Sequence, residues 1–167
     1  NGPFSLGKHD VLDGGFRVPF IVKWPGKIPA GRSSDELICS TDVMATCAAV
    51  LDYKLPENAA VDSINLLPHL TGKSDSSTRN YVILDGSDGT FAVRRGKWKF
   101  IEKNTGKRVR GAGRKDQLYN VENDMGEKSN LIQQYPEIVK ELRGLLDLER
   151  QQVKGLNGVP YPRLDQK

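Results

Sequence analysis

The sequence predicts an α/β first part, residues 1–77. A small α+β unit follows over residues 78–152, with an antiparallel sheet packed on a C-terminal helix, and residues 153–167 form a tail. Three observations carry this reading. A polar, glycine-rich loop runs into the apolar stretch Phe16–Trp24, and a helical pattern follows from Asp42. That loop–strand–helix order suits an α/β layer. After the serine-bearing run Lys73–Thr78 the pattern changes to short segments separated by turn residues. Beyond Pro136, apolar residues recur at helical spacing.

The elements follow in order. Asn1–Gly15 is a loop carrying Lys8, His9, Asp10 and Asp13. Loops that feed a rigid element are where polar groups are presented for function. Phe16–Trp24 is bounded by Gly14-Gly15 and Pro25-Gly26, which predicts a strand buried on both faces. Ser40-Thr41-Asp42 opens a helix, with Ser40 or Thr41 as cap and Asp42 at the positive end of the helix dipole. Val43, Met44, Cys47, Val50 and Leu51 give that helix one apolar face. Leu66–Gly72 is a short apolar turn ended by glycine, in which His69 is expected to be structural.

Strands are predicted over Tyr81–Leu84, Thr90–Val93, Trp98–Ile101 and Gln117–Val121. Trp98 and Phe100 alternate with Lys97 and Lys99, which predicts a strand whose lysine face is wet. Lys103–Lys115 holds six Lys or Arg and reads as a long hairpin tip. Pro136 suits a helix start, and Ile138, Val139, Leu142, Leu145 and Leu146 form its buried stripe.

Composition narrows the function classes. The 167 residues carry a formal net charge of +4, with 28% charged and 37% hydrophobic residues. That balance fits a globular chain with anionic partners at most. No apolar run approaches the ~18 residues of a membrane span, and no nucleic-acid motif is present. The basic tip has no aromatic residue on which a base could stack. Cys39 and Cys47 make neither a disulfide framework nor a metal-binding spacing.

Several motifs in one order carry a resemblance. They are Asn1-Gly2-Pro3, Gly7-Lys8, Asp13-Gly14-Gly15-Phe16-Arg17-Val18-Pro19 and Trp24–Gly31. Asp62–Pro68, Ala92–Lys99, Leu118-Tyr119-Asn120, Asn123–Glu127 and Asn130-Leu131 follow. Together they resemble the C-terminal part of a type I sulfatase, arylsulfatase-like, of the alkaline phosphatase superfamily. The fold implied is an edge of the large α/β sulfatase domain followed by the family's small C-terminal subdomain.

The resemblance also implies chemistry. Sulfatases hydrolyse sulfate esters with a formylglycine, whose hydrated form attacks sulfur, and a divalent cation, Ca2+ or Mg2+. Asn1 matches a metal ligand through its side-chain oxygen, a hard donor of the kind calcium takes. Lys8 matches the lysine that grips the sulfate, where a fixed cation offsets developing negative charge. His9 stands at the rim, where the family usually has a small or hydroxyl residue, and is expected to touch substrate.

The formylglycine motif, Cys/Ser-x-Pro-x-Arg, is absent. Cys39 precedes Ser-Thr-Asp and Cys47 precedes Ala-Ala-Val. The nucleophile and the acidic metal ligands are therefore expected before Asn1, and the 167-residue chain by itself is expected to be inactive. The implied partner is a sulfated small molecule or glycan, and the implied compartment is exported or lysosomal. Two alternatives remain open: a phosphodiesterase or phosphonate hydrolase of the same superfamily, and a non-catalytic module that binds sulfated glycans through the basic run Lys103–Lys115, whose affinity would be lost on removing Lys107, Arg108 and Arg110.

Overall fold

A computed structural model describes residues 2–74, 79–104 and 115–157, with side chains to Gln151. Asn1 and the hairpin-tip residues Lys107, Arg108 and Arg110 lie outside the described residues. The elements are α1 (Asp13–Phe16), α2 (Asp42–Val50), α3 (Leu67–Leu70), β1 (Val82–Asp85), β2 (Phe91–Arg95), β3 (Trp98–Ile101), β4 (Gln117–Asn120) and α4 (Pro136–Asn157). They fall into two compact units, Asn1–Val18 with Ile83–Lys167, and Pro19–Val82.

The first unit is an α+β layer. Its sheet has the order β1-β2-β3-β4. β2 pairs antiparallel with β3, Arg95 opposite Trp98, so Gly96-Lys97 is a two-residue turn. Gly96 has φ 53°, the left-handed backbone such hairpins need. β3 pairs antiparallel with β4, Lys99 opposite Tyr119. The outer edge of β4 is covered: Leu131 N–H donates to the Leu118 carbonyl at 2.8 Å, and Leu118 N–H donates to Asn130 Oδ1 at 3.0 Å. Covering the edge removes a template for pairing with another chain.

The two faces of this sheet have different occupants. α4 packs on β2 and β3 with Leu142 and Leu146 buried, as the stripe predicts. The Arg143 guanidinium stacks 4.9 Å from the Phe100 ring centre and ion-pairs with Asp116 at 2.7 Å. On the other face Ala92, Ile101, Tyr119 and Val121 form a buried cluster, and Val11 from the N-terminal loop plugs it.

Lys99 belongs to that second face, and this corrects the expected wet lysine face. Its side chain is 0% exposed. The physical reason is that the face is covered by residues 5–15, far away in sequence, which local alternation in β3 cannot register.

The second unit is built on α2. Neither Ser40 nor Thr41 caps it: Thr41 makes no side-chain cap bond. The buried Asp42 carboxylate instead ties neighbouring chain to the helix start, accepting from Cys39 N–H at 2.7 Å and Ile64 N–H at 2.9 Å and pairing with Arg79. His69 is buried in the turn of α3 and shares a 2.8 Å hydrogen bond with the Ser34 hydroxyl.

One expectation fails from the end of α1 onward. The doubly buried strand at Phe16–Trp24 is absent: Phe16 ends α1 and the rest is irregular, with Val18 71% and Ile21 90% exposed. A doubly buried strand needs neighbouring strands and covered faces, and among the described residues no strand precedes β1. Among the described residues the strands are those of the four-stranded sheet in the α+β unit. The apolar face of α2 is open, with Val43, Met44, Val50 and Leu51 exposed.

Candidate active-site loop

The loop from Ser5 to Arg17 carries the predicted site residues. Lys8 and His9 sit side by side at its exposed outer turn. Two non-glycine residues of this turn are in left-handed backbone, Leu6 at φ 56° and His9 itself at φ 85°. Such conformations cost roughly 1–3 kcal/mol each and persist where surrounding contacts impose them.

Those contacts are visible. Gly14 N–H donates to the Ser5 carbonyl at 3.0 Å, joining the two legs of the loop. Ser5 Oγ donates to the Gly126 carbonyl. Asp10 N–H donates to the Gly7 carbonyl at 3.1 Å, and Asp10 Oδ1 accepts from Leu12 N–H at 3.0 Å. The outer turn is held by Ser87, whose N–H and hydroxyl both donate to the His9 carbonyl, at 3.0 and 3.3 Å.

The Asp13-Gly14-Gly15 motif has a steric reason. A Cβ on Gly14 would stand 2.3 Å from the Ser5 carbonyl oxygen, and one on Gly15 would stand 2.1 Å from that of Asp10. Only glycine lets the second leg close against the first.

Beneath the motif lies a buried charge cluster. Lys99 Nζ ion-pairs with Asp13 Oδ1 at 2.7 Å and with Glu127 Oε1 at 2.7 Å. Glu127 Oε2 accepts from Asp13 N–H at 2.6 Å. Glu127 has φ 49°. Burial pushes the Glu127 carboxyl above its ordinary value, outweighing the attraction of Lys99 and the Asp13 N–H bond. Arg17 reaches Asp13 Oδ2 at 3.7 Å from the solvent side.

Lys99 and Glu127 are the residues that sequence reasoning missed at this loop. A signal existed: Ile101 is two positions from Lys99, hence on the same sheet face, so a large apolar residue shared the supposedly wet side. Asn1, the predicted metal ligand, lies outside the described residues. Among the described residues no group of three His, Cys, Asp or Glu side chains converges to hold a metal. They do not, by themselves, make a calcium site.

A family model described as N-sulphoglucosamine sulphohydrolase, C-terminal, matches residues 6–152. The chain belongs to that family. It is a C-terminal sulfatase domain, and the loop from Leu6 onward, Lys99 and Glu127 all fall inside the match. It is 37% identical over 153 residues to an N-acetylgalactosamine-6-O-sulfatase of Bacteroides thetaiotaomicron, covering 87% of this chain and 30% of that relative.

A solved structure from work on glycosaminoglycan metabolism by Bacteroides thetaiotaomicron superposes with a TM-score of 0.78 at 37% identity, over 87% of this chain and 32% of the other. Ps i-CgsB, solved in complex with k-i-k-neocarrahexaose, superposes with a TM-score of 0.73 at 26% identity, over 88% of this chain and 32% of the other. The chain thus spans about a third of the length of these relatives. No helix among the described residues is long and apolar enough to cross a membrane.

Proposed function

We propose that this domain is the C-terminal part of a sulfuric ester hydrolase, and that its loop delivers Lys8 and His9 to the sulfate group of a sulfated sugar. The observation that carries the reading is the loop itself. An exposed lysine and histidine sit on a turn fastened at four places to a sulfatase-family domain. A mobile surface lysine needs no such scaffold, whereas a cation that must meet a sulfate oxygen in the transition state does.

Lys8 donates from its ammonium to a sulfate oxygen and balances the charge that grows there as the ester bond breaks. His9 contacts the substrate beside it and sets part of the pocket rim. The nucleophile lies in sequence upstream of Asn1. Asn1 belongs with metal ligands that are also supplied there, and the divalent cation is calcium or magnesium. The relatives favour a sugar sulfate as substrate, with a 6-O-sulfated hexosamine first among those to try. An exported or lysosomal setting follows from the same family resemblance.

The test is release of inorganic sulfate by the complete polypeptide that carries this domain. Sulfated N-acetylgalactosamine and an aryl sulfate serve as substrates. Lys8→Ala is expected to lower kcat/KM by about 10²-fold or more, the scale of losing one fixed charge-stabilising group. The 167-residue chain alone is expected to show no turnover. Robust hydrolysis by that chain, or an unchanged kcat/KM in Lys8→Ala, would overturn the reading. Phosphodiester hydrolysis without sulfate release would select the phosphodiesterase alternative.

A further inference from the structure

We propose that Lys99 is a positioning residue for the Lys8–His9 turn, acting through a buried clamp with Asp13 and Glu127. The inference rests on the proposed role of Lys8 for its kinetic consequence, but its structural content does not depend on that role.

The clamp has an unusual reach. Lys99 comes from the middle of β3, Asp13 from the second leg of the loop, and Glu127 from the turn after β4. Gly126 and Glu127 together hold both legs: the Gly126 carbonyl accepts from Ser5, and Glu127 Oε2 accepts from Asp13 N–H at 2.6 Å. The two ends of the loop are therefore fixed at one point on the C-terminal subdomain. The seven residues between Ser5 and Asp13 have little freedom left, because Val11 is locked into the sheet face and Ser87 holds His9.

Fold stability alone does not call for charge at this point. A buried ion-pair network is often no more stable than an apolar replacement of similar volume. What the charges add is direction. The lysine nitrogen sets the distance between the two carboxylates, and Glu127 in turn sets the height of the Asp13 backbone. An apolar plug would fill the same space without fixing either. In this arrangement a residue of the C-terminal sheet tunes where the sulfate-gripping lysine stands, although Lys99 touches no substrate.

The test uses the complete polypeptide and a neutral variant, Lys99→Met with Asp13→Asn and Glu127→Gln, which keeps shape while removing all three charges. Glu127→Gln alone is the milder companion, should the triple variant fail to fold. Hydrogen exchange is read at the amides of Asp10, Gly14 and Gly15 and, as an internal reference, across Leu142–Leu146 in α4. Protection in the loop is expected to fall at least ~10-fold while α4 keeps its own, the pattern of local rather than global opening.

Sulfate release is expected to fall ~10-fold or more in kcat/KM, carried mainly by kcat. That loss is expected to vanish when Lys8→Ala is already present, because two residues acting as one unit are not additive. Unchanged loop protection in both variants, or losses that simply multiply with that of Lys8→Ala, would overturn the proposal. If no sulfate ester is hydrolysed at all, the catalytic reading falls, and the exchange data still decide whether the clamp orders the loop.

Discussion

Residues 5–16 are mostly polar or glycine and are fastened at several points: by Ser5 to Gly126, Val11 to the sheet, Asp13 to Lys99 and Glu127, and His9 to Ser87. Residues 18–31 are far more apolar, yet Val18, Phe20, Ile21 and Val22 are exposed, and the turn bonds at Trp24 hold the segment locally. The difference teaches that apolar content does not by itself order a segment. Order requires a surface to bury against and partners for the backbone, and in this domain the polar loop has both. Its fastening comes from a covered sheet face and from three charged side chains that no solvent reaches well.

The largest way to break this contrast is Lys99→Ala. It leaves two carboxylates buried without their cation, and losing one partner of such a cluster costs about 3–5 kcal/mol. Denaturant unfolding of the first unit should show a loss of that size. In Arg79→Ala, by comparison, Asp42 still accepts from Cys39 and Ile64, so a smaller loss is expected; equal losses would make the clamp an ordinary buried pair. Next comes Gly15→Ala, whose Cβ would meet the Asp10 carbonyl. Overpacking against backbone costs about 1–3 kcal/mol, and an unchanged unfolding midpoint would show that the loop is slack.

A subtler effect is pH dependence through Glu127, which faces Lys99 and Asp13. Its carboxyl is raised in the folded domain, while in the unfolded chain it titrates near the ordinary 4.5. The folded state therefore binds more protons between those two values. Its contribution is full below the unfolded value and is lost as pH rises through the folded one. Stability measured upward from pH 4.5 should decline through that window, and Glu127→Gln should flatten the decline. If the slope survives the substitution, another group is responsible. The smallest effect is expected at Ile21, 90% exposed: Ile21→Ser should change the stability of this chain by no more than about 0.5 kcal/mol. A larger loss in the complete polypeptide would show that the segment packs on sequence lying outside this chain.

Legibility from sequence was uneven, and for identifiable reasons. The four strands, the Gly96 turn, the α4 stripe and the glycine after α3 were readable because each rests on a period or a backbone requirement contained within a few residues. That Lys8 and His9 stand in an exposed loop was legible from the polar, glycine-rich run Asn1–Gly15. Lys99 was legible only in part: Ile101 on its face signalled burial, but alternation within β3 never says what lies over that face. Phe16–Trp24 misled in the opposite direction, since a pattern suited to a buried strand does not supply the strands that bury it.

By itself, then, the sequence determined the antiparallel unit, its helix, its turns and the family motifs, because local sterics and hydrophobic periodicity act over short range. The tertiary structure alone decided that a strand lysine would be buried, that Asp13 and Glu127 would meet it, and that Ser5 and Asp13 would be pinned at one place. Apart from the Lys99–Glu127 pair, those outcomes depend on contacts between residues more than 80 positions apart, and no local pattern encodes where a distant loop will land.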